Sequence, residues 1–251
     1  MEGLKRQIKF QVMDSKKAFI IFWGIVLAVN ILFYYLNGTA PDNVSYGTSY
    51  NITTELTGES INTHYINVAG SNVIAIGVFI IVCCMVMYYE TFPTAIGFSS
   101  TRRDYYLGVL ASNVILCFAM AVIEGVLLKL DKYIVRAVGR QPLNEFLMLN
   151  LEQDSIIYVI AVLFVMLILC CAVFNLLGTV LYKFGYKVWF VFLAIAFIQG
   201  NFFPKNYFSG IGKFFAFNNF ITFSAKLIFI SIVMYGVGWL LIRRQNIRSG
   251  N

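Results

Sequence analysis

SIIYVIAVLFVMLILCCAVFNLLGTVL, residues 155–181, contains no charged side chain. A helix needs about 20 mostly apolar residues to cross the roughly 30 Å hydrocarbon core of a bilayer. This run is long enough, and a helix satisfies its backbone hydrogen bonds internally where lipid offers none. It reads as a membrane span, and the fold class depends on whether the chain repeats it.

The pattern recurs. Ala18–Leu36 and Ser71–Tyr89 are comparable runs, and Tyr105–Leu128 is interrupted only by Glu124. Val188–Phe203 and Leu227–Ile242 are shorter, at 16 residues each, and the second reaches 23 only if Phe220–Lys226 join it. Sixteen residues rise about 24 Å, short for a simple span. Between these two lies PKNYFSGIGKFFAFNN, residues 204–219, rich in Phe, Gly and Asn. Irregular backbone at membrane depth is tolerated where protein buries it or it lines a cavity. The expectation is an all-α integral membrane protein with six transmembrane helices and a re-entrant or outer element at 204–219.

Composition agrees. Of 251 residues, 59% are hydrophobic and 12% charged, with mean hydropathy +0.76; a soluble domain carries about a quarter charged residues. No linker, low-complexity tract or internal repeat divides the chain, so 1–251 reads as one membrane domain. The net charge of +7 is scattered between apolar runs. A nucleic-acid binder would gather it on one soluble face, so nucleic acid is not an expected partner. Cys83, Cys84, Cys117, Cys170 and Cys171 all lie inside apolar runs without metal-ligand spacing, and read as small hydrophobes. The N-terminal residues 1–17 do not read as a cleaved signal peptide.

Basic residues orient the spans. With the N-terminus inside, twelve of the 19 Lys and Arg fall on inner segments and seven on outer ones, which places both termini in the cytoplasm. Residues 2–17 carry Leu4, Ile8 and Val12 at helical spacing beside Lys5, Arg6 and Lys9. They read as an interfacial amphipathic helix; a solvated basic tail is the other reading. Residues 37–70 form a polar outer loop holding His64, the one histidine. Its Asn-x-Ser/Thr matches at Asn37, Asn43 and Asn51 are at chance level for so Asn/Thr-rich a stretch. Residues 129–154 read as an outer interfacial helix pair broken at GRQP (139–142), or as an uninformative loop.

Between the second and third spans stands ETFPTAIGFSSTRRDYYLG, residues 90–108. Pro93 suits the first turn of a short helix ending near Ile96, with Thr91 as its cap and Gly97 permitting reversal. Thr101 is placed to cap the third span. Arg102 and Arg103 fall in that span's first turn, against the helix-dipole preference, so lipid phosphate, Glu90 or a partner must favour them there.

This set of features resembles an ABC transporter permease of the type-2 export class, most nearly the small permeases of Gram-positive bacteria. The similarity is to the layout of almost the whole chain, and to S-x-T-R-R-x-Y-Y-x-G at residues 99–108. The resemblance implies that 90–104 is a cytoplasmic coupling segment docking in a groove of a separate ATPase. Thr91, Phe92, Pro93, Thr94, Ala95, Ile96 and Phe98 would form the docking element, with Phe92, Ile96 and Phe98 as anchors. Arg102 and Arg103 would pair with ATPase acids or hold the helix at the membrane; alternatively they are only positive-inside signals. The implied partners are the ATPase, a second permease copy or related permease, and the bilayer.

Catalytic motifs are missing. There is no G-x-x-x-x-G-K-[ST], no G-x-S-x-G and no H-E-x-x-H, so the expectation is a transport subunit that is not itself an enzyme and needs no cofactor, ATP being bound by its partner. Glu124 is the one acid well within a span and hence a functional candidate by default; near the outer end of its helix, a structural role is the alternative. Gln199, Phe202, Phe203, Phe214 and Phe215 are candidates for a hydrophobic substrate route, or members of an outer aromatic belt.

The function expected is the permease subunit of an ATP-driven exporter in the plasma membrane. Its substrate would be an amphipathic or hydrophobic peptide, lipid or drug. The rival expectation is a non-transporting sensor or immunity protein that binds an extracellular peptide, such as an antimicrobial one.

Overall fold

A computed structural model of the protein describes residues 2–41, 44–56, 59–97, 101–185, 187, 188, 190 and 219–243. The chain is mostly helical there. In order come α1 (Glu2–Thr39), β1 (Thr48–Leu56), β2 (Glu59–Asn67) and a 3-10 turn (Ala69–Ser71) leading into α2 (Asn72–Val86). A π-helical turn (Met87–Thr91) joins α2 to α3 (Phe92–Gly97). Then follow α4 (Arg102–Ala137), β3 (Gln141–Pro142), β4 (Glu145–Phe146), β5 (Leu149–Asn150), α5 (Ile156–Phe184) and α6 (Phe220–Ile242).

Among the described residues, five helices are long and apolar enough to cross a membrane: α1, α2 with its flanking turns and α3, α4, α5 and α6. The chain is a multi-pass membrane protein. The 16-residue run ending at Ile242 is part of a 23-residue helix beginning at Phe220. The expected fifth span, 188–203, and the element at 204–219 lie almost wholly outside the described residues.

Three expectations need correction. First, residues 2–17 are not a separate interfacial helix, because α1 runs unbroken from Glu2. Its buried side chains there are Gln7 and Gln11, while Leu4, Ile8 and Val12 are only half-buried. Second, the chain is not all-α: β1 and β2 form an antiparallel hairpin in register from Thr48↔Asn67 to Leu56↔Glu59. Alternating Thr, Ile and Tyr suit such strands. Third, residues 129–154 do not form a helix pair. α4 continues to Ala137 and stops in a Schellman motif: Gly139 N–H donates to Arg136 O (3.0 Å) and Arg140 N–H to Val135 O (3.1 Å). Gly139 supplies the required positive φ of 83°. The next residues pair as strands, β3 parallel to β2 and β4 with β5. Pro142, which cannot donate to a ladder, sits at the sheet edge.

The fold divides into two compact units, and α1, α2, α4 and α5 each contribute residues to both. One comprises Met13–Phe79 and Leu116–Phe164. Its core includes Ile66, Val68 and Val135, with Phe33 and Tyr34 packed on them. The end of α1 is tied to the end of α4 by Arg140, whose guanidinium donates to the carbonyls of Asn37, Ala40 and Pro41. Those carbonyls have no intrahelical partner, so the contact is a side-chain cap.

The other unit comprises Met1–Val12, Ile80–Ile115 and Val165–Asn251. Its described core is aromatic: Tyr88, Phe92, Tyr105, Tyr106, Tyr182 and Tyr235 are all buried. Small residues let its helices approach. A Cβ on Gly178 would lie 2.8 Å from the Tyr88 ring and 3.1 Å from the Cys84 carbonyl. Between lipid-exposed helices such close packing replaces the hydrophobic drive.

Candidate functional site

The coupling segment begins where α2 changes its winding. In the π turn the Phe92 N–H reaches back to the Met87 carbonyl, which also accepts from the Tyr105 hydroxyl. Single π turns recur at functional positions. This one brings Phe92 onto the interior face, where its ring meets Tyr105 at 5.1 Å and Tyr182 at 5.4 Å, both edge-on. Phe92 is fully buried, and Thr91 and Ala95 are buried beside it. Thr91 is the last residue of the π turn, so α3 continues α2 with no break to cap.

Phe92 therefore wedges α3 against α4 and α5 and is not an outward anchor. The outer edge of α3 consists of exposed Thr94 and Gly97 with half-buried Pro93 and Ile96. Thr94 Oγ1 donates to the Glu90 carbonyl (2.8 Å). Phe98 lies outside the described residues.

The next helix starts as its sequence implies: Asp104 N–H donates to Thr101 Oγ1 at 3.0 Å, an N-cap on α4. Arg102 then turns away from its own helix, and its Nη1 donates to the Arg243 carbonyl at the end of α6 (3.0 Å). This is a physical reason for a cation in the first turn of a helix: it satisfies an orphan carbonyl at another helix's C-terminus. Arg103 is exposed.

A polar seam joins the start of α1 to α4. Gly3, Gln7 and Gln11 recur every four residues, as do Asp104, Gly108 and Ser112. A Cβ on Gly3 would lie 3.0 Å from Asp104 Oδ2, and one on Gly108 3.0 Å from Gln7 Cβ. Gln11 Nε2 donates to the Tyr105 carbonyl (3.3 Å), and Ser112 Oγ to Gln11 Oε1 (3.0 Å). The sequence reading favoured the apolar stripe of this segment; the signal it passed over was the matched four-residue spacing on both helices.

Glu124 belongs to the first unit described. It is 1% exposed and accepts from Asn72 Nδ2 (3.2 Å). About two turns further along α4 comes Asp131, a residue to which the sequence reading of segment 129–154 gave no role. Asp131 Oδ1 accepts from the Tyr34 hydroxyl (2.6 Å) and from the backbone N–H groups of Val68 and Ala69 (3.1 Å each). That carboxylate fixes the junction between the β-hairpin and α2. Gln199, Phe202, Phe203, Phe214 and Phe215 lie outside the described residues.

Among the described residues no group of three or more His, Cys, Asp or Glu side chains could hold a metal ion. No protein-family model, curated protein or solved structure matches the chain.

Proposed function

We propose that the chain is the permease subunit of an ATP-driven exporter of the type-2 ABC class, with ATP hydrolysed by a separate subunit that docks on α3. In this reading the chain has six spans, both termini in the cytoplasm of a bacterial cell, a re-entrant element at 204–219, and a place in the plasma membrane. Two permeases enclose the route of an amphipathic or hydrophobic substrate.

The observation that carries the reading is Phe92. Its ring is held between Tyr105 of α4 and Tyr182 of α5, so a push on the outer edge of α3 is passed to three long helices. A short helix serving only as a connection needs no such wedge. Arg102 extends the linkage to α6 through the Arg243 carbonyl.

Co-purification with the P-loop ATPase encoded beside the gene tests this. Thr94→Arg alters the exposed edge of α3, and Gly97→Asp does so at a second exposed position; neither residue belongs to the buried face. Wild type retaining the ATPase and both variants losing it supports the proposal; a wild type that retains none contradicts it.

The second reading, a peptide-binding sensor or immunity protein, draws on the hairpin. Among the described residues β1 pairs with β2 alone. Its outer edge therefore carries backbone groups to which an extended peptide could add as a strand. Peptide binding that persists without any ATPase would favour it.

A further inference from the structure

Where α4 begins and α6 ends, the two helices leave a cavity of about 760 Å³ between them. One wall is Arg103, Tyr106, Leu107 and Leu110, and the other is Ile232, Tyr235, Gly236, Trp239 and Arg243. Each set lies on a single helical face. The α6 wall runs from Ile232 to Arg243, a rise of about 16 Å along the helix. The floor is fixed: Tyr106 Oη donates to the Tyr235 carbonyl (2.7 Å), and the Tyr106 ring lies 5.5 Å from Trp239. A Cβ on Gly238 would come within 2.6 Å of Tyr106 Oη, so this glycine lets the floor close.

The chemistry of the cavity is asymmetric. Its length is apolar and aromatic, while both charged side chains, Arg103 and Arg243, stand at one end. Among the described residues no carboxylate lines it. The nearest acid in sequence, Asp104, lies against Gly3 on α1. Arg102 is committed to the Arg243 carbonyl, whereas the guanidinium groups of Arg103 and Arg243 have no ion-pair partner among the described residues. The sequence that follows, RQNIRSGN, adds two arginines and no acid.

We infer that this cavity binds one anionic phospholipid, its phosphate between Arg103 and Arg243 and an acyl chain along Leu107, Leu110, Ile232 and Gly236. Two guanidiniums offer bidentate donors suited to phosphate oxygens. The apolar walls belong to helices that already lie in the bilayer, so the ligand enters laterally with its chain in hydrocarbon throughout. Neither a free anion nor a soluble acidic peptide would use the apolar length. The bound lipid would brace the start of α4 against the end of α6, beside the Arg102 contact. This inference does not depend on the exporter reading.

The test uses the full chain in mild detergent with dioleoyl phosphatidylglycerol, dioleoyl phosphatidylcholine or inorganic phosphate as probes. Lipid retention is read by native mass spectrometry and stabilisation by thermal melting. Gly236 faces open space, with nothing within 4 Å of a Cβ built there, so Gly236→Phe fills the cavity while leaving both arginines. Wild type is expected to retain phosphatidylglycerol over phosphatidylcholine and to melt higher with it. Arg103→Gln/Arg243→Gln should weaken retention by at least about tenfold, and Gly236→Phe should abolish it. Equal retention of the two lipids overturns the inference. So does unchanged phosphatidylglycerol retention by Gly236→Phe, or the same stabilisation by inorganic phosphate alone.

Discussion

Arg102 on the first turn of α4 donates through Nη1 to the backbone carbonyl of Arg243, the residue that closes α6, at 3.0 Å. Two helices far apart in sequence are thus joined end to end, the N-terminus of one to the C-terminus of the other. Arg102→Ala removes the donor and returns that carbonyl to solvent or headgroups. The expected loss is about 1 kcal/mol, read as a lower melting temperature in detergent, with Arg102→Lys partly restoring it.

Gly178 and Gly236 predict opposite outcomes for the same change. At Gly178 a methyl group meets the Tyr88 ring at 2.8 Å and the Cys84 backbone carbonyl at 3.1 Å. Neither is free to withdraw, since Tyr88 is held by its bond to Asn175. Gly178→Ala should cost about 2 kcal/mol. Gly236→Ala meets nothing within 4 Å and should leave the melting temperature unchanged or slightly raised, since Ala favours helix over Gly.

Tyr88 Oη donates to Asn175 Oδ1 at 2.8 Å with both side chains fully buried. A double-mutant cycle of Tyr88→Phe and Asn175→Ala should show coupling of about 1 kcal/mol. Additive effects would mean that the two side chains act independently.

Asp131 receives three donors on one oxygen. Asp131→Ala strands two buried backbone N–H groups and should cost roughly 3 kcal/mol. Hydrogen exchange at Val68 and Ala69 should accelerate before exchange in the hairpin. Asp131→Asn keeps an acceptor oxygen and should give a smaller effect on both readouts.

Spans were legible because lipid imposes a long apolar run on any helix that crosses it, as in residues 155–181. The end of α4 was legible too, since Gly139 marks it. The hairpin was not: its Asn/Thr-rich strands carry no apolar face strong enough to stand out beside the spans. Two cations of 129–154 have partners that the sequence did not reveal. Lys129 donates to the carbonyls of Leu151 and Asp154, and Arg140 caps the end of α1. Both were counted as topology signals, and both serve the backbone. Phe92 was expected to be an outward anchor because the family resemblance made 90–104 a docking segment. The π turn that rotates it inward leaves no sequence signature.

The exporter reading turns on what touches the outer edge of α3. A photo-cross-linking residue in place of Thr94, which is exposed, should capture the co-expressed P-loop ATPase in membranes, and one in place of buried Phe92 or of Ile74, exposed on α2, should not. Capture at Thr94 alone is the result the account predicts. No ATPase cross-link at Thr94, or equal capture at Ile74, would contradict it.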